Sequence, residues 1–399
     1  MTKRQRFLQR TRSRLFSKGA PDYILLALVV ILVLFGLVMV YDASVIVASE
    51  TYGDQFRFLK LQTVWVLVGA AAFAFTYLFD YHNYPKLIVP AIVTTIVLLV
   101  LVVFAGPLVF GSRRWFSIGV VNIQPSELAK LTFTVYLACW LAKQKQRSGN
   151  LKEAFTQHLK TELLPFAFIL FTICFLIIVE PDLGTTAVVA FTALAVYFIS
   201  GTDALHTLGS FFIIAVMGVL GVLAAIISPY RASRVSTFLE TIKSGYAPDP
   251  WISGYQINQV LIAIGSGGLF GIGFGESRQK FFYLVGNSAF TDTIFAVYAE
   301  EFGFVGDVVL VLAFLMFVSR GLRIARNAHD RLGSLLATGI TVWIGLQAFL
   351  NIAANIALGP LTGIPLPFFS YGGSSMVVVL AGVGILLNVS KSSEKAVFR

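Results

Sequence analysis

The sequence predicts an all-α, polytopic integral membrane protein of about ten transmembrane helices. Three observations carry that expectation. Of the 399 residues, 57% are hydrophobic and only 13% charged, and the mean hydropathy is +0.81, too apolar for a soluble domain of this length. Apolar runs of about 17–25 residues, the length a helix needs to cross about 30 Å of hydrocarbon, recur along the chain. Basic residues are shared unequally between the loops that these runs define.

The runs fall at 23–41, 62–79, 87–105, 127–142, 163–179, 184–200, 208–228, 292–318, 333–357 and 374–390. The first follows a basic tail, residues 1–22, carrying Lys3, Arg4, Arg6, Arg10, Arg12, Arg14 and Lys18. Set directly before a span, those charges suit anionic lipid and not nucleic acid. Further spans make the first run an uncleaved helix and not a signal peptide. The fourth and sixth runs are short, and losing one of them would invert the topology of all that follows.

With ten spans, 20 of the 30 Lys and Arg lie on the side of both termini and 9 on the other. The positive-inside rule then places both termini in the cytoplasm. The expected organisation is one membrane domain at 23–390, a C-terminal tail at 391–399 and a long extracytoplasmic loop at 229–291. Within that loop INQVLIAIGSGGLFGIGFG (257–275) is too short and glycine-rich to span, so it reads as an interfacial or re-entrant element.

Several chemistries find no support. Cys139 and Cys174 lie within spans and read as packing residues. His82, His158, His206 and His329 fall in separate cytoplasmic loops, so no imidazole or metal cluster is expected. The run GSGGLFGIGFG at 265–275 fits neither nucleotide-binding glycine pattern. Paired interrupted helices in two matching halves, the mark of many transporters, are not evident.

The outer loops differ in character. GSRRWFSIG (111–119), QPSELAK (124–130), EPDLGTT (180–186) and GPLTGIPLPFFSYGGSS (359–375) bring charges, glycines and prolines to one membrane face. Carboxylates and bases there, Asp292, Glu180, Asp182, Glu127, Lys130, Arg113, Arg114, Arg278 and Lys280, suit sugar or phosphate chemistry. A carboxylate can take a proton from a sugar hydroxyl, while Arg and Lys can hold a pyrophosphate as it leaves.

Each has a plainer alternative. Asp292 with Thr291 could cap the eighth helix. Glu127 and Lys130, three apart, could simply pair, and Arg113 and Arg114 could anchor the interface beside Trp115. Asn351 and Asn355, four apart in the ninth run, suit interhelical hydrogen bonds. Glu300 and Glu301 lie on average about 130° round the helix from Asp292 at 100° per residue, and their role stays open.

Five segments together resemble the SEDS family of FtsW, RodA and SpoVE: GSRRWFSIGVVNIQPSELAKL (111–131), EPDLGTT, GYQINQVLIAIGSGGLFGIGFGESRQKFFYL (254–284), TDTIFAVYAEEFGFVG (291–306) and TGIPLPFFSYGGSSM (362–376). The forms GSRRW and QPSELAK are closer to the FtsW branch. The resemblance implies a membrane-embedded glycosyltransferase that polymerises lipid II, releasing undecaprenyl pyrophosphate. The family's essential aspartate maps onto Asp292 and its loop lysine onto Lys280. It further implies a class B penicillin-binding protein as transpeptidase partner, division-complex activators and septal work in the bacterial cytoplasmic membrane.

Arg113, Arg114, Lys130 and Lys280 are accordingly expected to hold pyrophosphate, with Glu127, Glu180, Asp182, Gln256 and Ser370 lining or bracing the cavity. No protein-held cofactor or metal is expected, although a divalent cation could accompany the pyrophosphate. Two departures stand out. VGNSAF (285–290) replaces the family's Pro-Glu-Ala-His run, and Thr293 stands where Phe is usual. Rival functions are a lipid II flippase, which needs a charged path through the bundle, and a non-catalytic division scaffold, which leaves the outer charges unexplained.

Overall fold

The computed structural model describes residues 19–108, 112–118, 121–143, 159–201, part of 208–243, 254–281, 283–284 and 288–392. Helices α1 (Tyr23–Tyr52), α2 (Arg57–Leu78) and α3 (Tyr84–Ala105) lead to a hairpin of β1 (Phe116–Ile118) and β2 (Val121–Ile123), then α4 (Pro125–Ala142), α5 (Leu164–Val179) and α6 (Leu183–Ser200). After the partly described stretch come α7 (Tyr255–Gly267), α8 (Ile294–Arg326), α9 (Arg331–Asn355) and α10 (Gly373–Lys391). Nine of the ten apolar runs coincide with helices. The run at 208–228 lies largely outside the described residues.

Among the described residues eight helices are long and apolar enough to cross a membrane. The chain is a multi-pass membrane protein. The helix not among those eight that still matches a run is α4, whose 18 residues include Glu127 and Lys130. It can hold both charges because it is shielded from lipid, packing on α3, α6, α9 and α10.

Helix α1 outruns its apolar stretch. Asp22 caps its start, accepting from the Leu25 amide at 2.9 Å, and Gly53 ends it in the left-handed region with φ 69°. The polar extension stays helical because Asp42 and Ser44 are buried against protein.

The centre of the bundle is α10, with 83% of its apolar stretch buried against 17% for α2, which packs along it and faces lipid with its other side. Apolar helices gain little from hiding apolar area when the solvent is lipid, so close backbone approach through small residues does the work. A Cβ on Gly384 would sit 2.1 Å from Thr76 Oγ1 and 2.5 Å from the Phe73 carbonyl. Gly384→Val is therefore expected to destabilise by about 1–3 kcal/mol through overpacking, read as a lower unfolding midpoint in detergent. Gly265→Ala, where a Cβ meets nothing within 4 Å, is the matched change expected to leave the midpoint in place.

Helix α8 is two pieces. Gly303, at φ 65° and ψ −171°, separates a short first segment, Ile294–Phe302, from the long remainder. The chain around 267–273 inserts at this break, with the amides of Ile272 and Gly273 donating to the carbonyls of Glu300 (3.0 Å) and Glu301 (3.2 Å), and those of Phe304 and Val305 donating to Gly268 (2.9 Å) and Leu269 (3.0 Å). Side chains are excluded here. A Cβ on Gly303 would lie 2.3 Å from the Gly271 amide nitrogen. The interlock supplies the hydrogen bonds that a broken helix otherwise lacks.

Candidate active site

Several sequence-predicted residues stand where helices begin: Glu127 and Lys130 in the first turns of α4, Asp182 before α6, Asp292 before α8 and Ser370 before α10. Gln124, just before α4, ties two of the other starts together: its amide donates to Ser374 Oγ on α10 at 3.1 Å and its side chain to Asp182 Oδ2 at 3.2 Å. Asp182 caps α6, accepting from the Thr185 amide (3.0 Å) and hydroxyl (2.9 Å). The loop before α10 packs into α6, since a Cβ on Gly184 would lie 2.4 Å from Ile364. Helix starts carry positive partial charge and unpaired amides, so their convergence favours an anion.

Asp292 stands at the start of α8, half-buried. Its backbone is held by α9: Asn351 Nδ2 donates to its carbonyl at 2.8 Å and Asn355 Nδ2 at 3.1 Å, while Asn351 also reaches the Ile364 carbonyl at 2.7 Å. The Thr291 hydroxyl donates to its carboxylate at 2.9 Å. The cap position is Thr293, not Thr291 or Asp292, and no side chain caps the helix there. Thr293 is buried and its hydroxyl donates to the Ser288 carbonyl at 2.8 Å, as does its amide at 3.0 Å. The two departures from the family pattern thus meet, with Thr293 closing the turn made by the end of VGNSAF.

Gln347 went unremarked in the sequence, although Gln347, Asn351 and Asn355, spaced by four, mark one polar stripe in an apolar helix. Its Nε2 donates to the Pro365 carbonyl at 2.9 Å and its Oε1 accepts from Lys130 at 2.7 Å and Trp343 at 3.1 Å. Through this stripe the loop at 364–365 links Asp292 to the Glu127–Lys130 pair.

Lys130 is enclosed by protein. It is 2% exposed, with its ammonium 2.7 Å from Glu127 Oε1 and 2.7 Å from Gln347 Oε1. The Glu127–Lys130 ion pair, the plainer alternative, is formed. Lys280 is enclosed in the same way. It is 3% exposed and donates to Asp42 (2.7 Å), the Gly275 carbonyl (2.7 Å) and Glu301 (3.2 Å). All three ammonium hydrogens have partners inside the protein.

The other candidates divide by exposure. Arg114, half-buried, donates through Nε to the Glu180 carbonyl at 2.7 Å and through its terminal nitrogen to the Pro181 carbonyl. Arg113 is exposed and donates to the Phe104 carbonyl at 2.7 Å. Gln256 is half-buried on α7. Ser370 is buried and braces its own loop, accepting from the Leu366 amide at 2.8 Å, while its carbonyl accepts from Gln62 at 3.2 Å.

Glu180, 1% exposed, has no hydrogen-bond partner for either carboxyl oxygen. Burial raises it from 4.5 to about 9, Asp182 adds to the rise and Arg114 opposes it. The folded chain therefore keeps a proton that the unfolded chain releases. The resulting stabilisation is whole below about 4.5, declines as pH rises and is gone above about 9. Glu180→Gln is expected to flatten the fall of the unfolding midpoint across that window. An unchanged slope in the variant would remove Glu180 as its source.

Comparison with known proteins agrees with this architecture. A family profile described as a cell cycle protein family, FTSW_RODA_SPOVE, matches residues 22–395. Stage V sporulation protein E of Bacillus subtilis (strain 168) is 38% identical over 380 residues, 94% of this chain and 98% of that protein. The probable peptidoglycan glycosyltransferase FtsW of Geobacter sp. (strain M18) is 38% identical over 371 residues, 92% of this chain and 96% of that one. Among solved structures, a chain of a peptidoglycan synthase complex that coordinates polymerization and crosslinking superposes with TM-score 0.72 at 28% identity, covering 93% of this chain and 98% of the other. The rod shape determining protein RodA of Thermus thermophilus gives 0.65 at 26%, covering 94% and 98%. This chain belongs to the FtsW/RodA/SpoVE family.

Proposed function

We propose that the chain is a peptidoglycan glycosyltransferase that polymerises lipid II at the outer face of the bacterial cytoplasmic membrane, in septal wall synthesis. The observation that carries the reading is the placement of Asp292. A half-buried carboxylate, fixed through its backbone by Asn351 and Asn355, stands at an end of the bundle where four helix starts converge.

Asp292 accepts the proton of the acceptor's GlcNAc 4-hydroxyl as that oxygen bonds to C1 of the donor's MurNAc. The bond from C1 to the pyrophosphate oxygen breaks, and undecaprenyl pyrophosphate leaves with the electron pair. The activated donor supplies the energy. Arg113 and Arg114, with the helix starts, take the negative charge that the leaving group gains. Glu127, Asp182, Gln256 and Ser370 brace the cavity, and a divalent cation, if one is bound, would come with the substrate's pyrophosphate.

A class B penicillin-binding protein is the partner that would crosslink the strands, a reading supported by the structural similarity to a chain of a polymerization and crosslinking complex. Division-complex activators and membrane lipids complete the expected partners, with both termini in the cytoplasm. The test is to supply labelled lipid II to the purified protein with that partner in vesicles. Glycan strands support polymerisation. Movement of lipid II between leaflets without strands replaces it with the flippase, and neither activity leaves the scaffold.

A further inference from the structure

Glu300 and Glu301, unassigned by the sequence, are buried and spent on one loop. Glu300 accepts from the Ser277 hydroxyl at 2.5 Å, the Gln279 amide at 3.3 Å, the Arg278 amide at 3.4 Å and the Ser266 hydroxyl at 3.2 Å. Glu301 accepts from the Ser277 amide and from Lys280, both at 3.2 Å. Lys280 extends the network to Asp42 on α1, 238 positions away in sequence. The backbone amides of residues 277–279, the Ser277 hydroxyl and the Lys280 ammonium are all directed to α8, α1 or the loop itself.

The location gives the network its consequence. Ile294–Phe302 is a short rod, set apart from the long remainder of α8 by the break at Gly303. One end of the rod is held where Asn351 and Asn355 grip the Asp292 carbonyl. The other end, about 12 Å away at 1.5 Å per residue, carries Glu300 and Glu301. After Lys280 the Leu284 amide donates back to the Gln279 carbonyl at 3.2 Å, and the turn at Ser288–Phe290 and Asp292 follow in sequence.

We infer that Asp42, Glu300, Glu301 and Lys280 are positioning residues that latch residues 275–280 onto α1 and α8 and thereby aim Asp292 at the acceptor hydroxyl. The inference rests on Asp292 being the base. Lys280 acts through the rod and does not touch pyrophosphate.

The test uses the full chain with its crosslinking partner, measuring kcat and KM for labelled lipid II, and latch opening by maleimide labelling of Gln279→Cys, a buried position. Lys280→Met leaves Asp42 and Glu301 without their cation. It is expected to raise labelling and lower kcat by about tenfold or more with KM little changed. Asp42→Asn/Lys280→Met/Glu301→Gln, which removes the three charges together, is expected to restore both. Should Lys280→Met fail to fold, Ser277→Ala breaks one bond of the latch and is expected to lower kcat severalfold at unchanged KM.

Activity still lost in the neutral triple variant with labelling restored overturns the inference, because Lys280 would then act on substrate. Increased labelling with kcat intact overturns it too. An Asp292→Asn control separates the underlying reading: full activity there removes the base, while the labelling still reports the latch.

Discussion

Asp292→Ala is expected to reduce glycan polymerisation by about 10²–10⁴-fold, the usual contribution of a positioned general base, while leaving the protein folded. The fold should survive because the structure holds Asp292 by its carbonyl, which alanine retains, and Asn351 and Asn355 still have their acceptor. What the substitution removes is a half-buried carboxylate that does not occupy the helix cap. The measurement is strand formation from labelled lipid II at matched complex formation, with elution profile and unfolding midpoint as fold controls. Asp292→Asn keeps the shape and an acceptor for Thr291 but cannot take the proton, so it should fall as far as alanine. Equal polymer from parent and either variant would falsify the role of base.

The fold was legible because its signal is local: a run of apolar residues long enough to cross a bilayer announces itself regardless of neighbours. Where local signal failed, the partner was distant. Helix α4 carries Glu127 and Lys130 and is short as an apolar run, yet it is central, since Gln347 and Trp343 of α9 complete the environment of its charges. Lys280 in a loop with the family's lysine motif invited a ligand role, and nothing near it in sequence marks Asp42 as its counter-ion. The role of Glu300 and Glu301 stays open in the sequence because their donors, loop amides with Ser277 and Lys280, are brought up only by folding.

The cap of α8 shows a different limit. Thr291 and Asp292 have capping chemistry, but the turn closed by Thr293 on Ser288 starts the helix one residue later. Side-chain propensity yields to a tertiary turn there. Gln347 was legible in principle, as a third polar residue on the Asn351–Asn355 spacing, and its neighbours in sequence gave the rule by which to find it.

Lys130→Met should be the most destabilising single change at the site, at about 3–5 kcal/mol, because breaking a buried pair strands a charge. Glu127 is buried, its Oε2 already lacks a partner, and Lys130 is the only cation bonded to its Oε1 among the described residues. Glu127→Gln/Lys130→Met removes both charges and is expected to recover most of the loss, since neutral side chains of similar volume often replace a buried pair at little cost. The unfolding midpoint measures the first effect. Strand formation by the double variant decides the chemistry: a stable double variant that polymerises lipid II makes Lys130 a support for the α4 to α9 contact, and a stable one that does not would return Lys130 to the pyrophosphate.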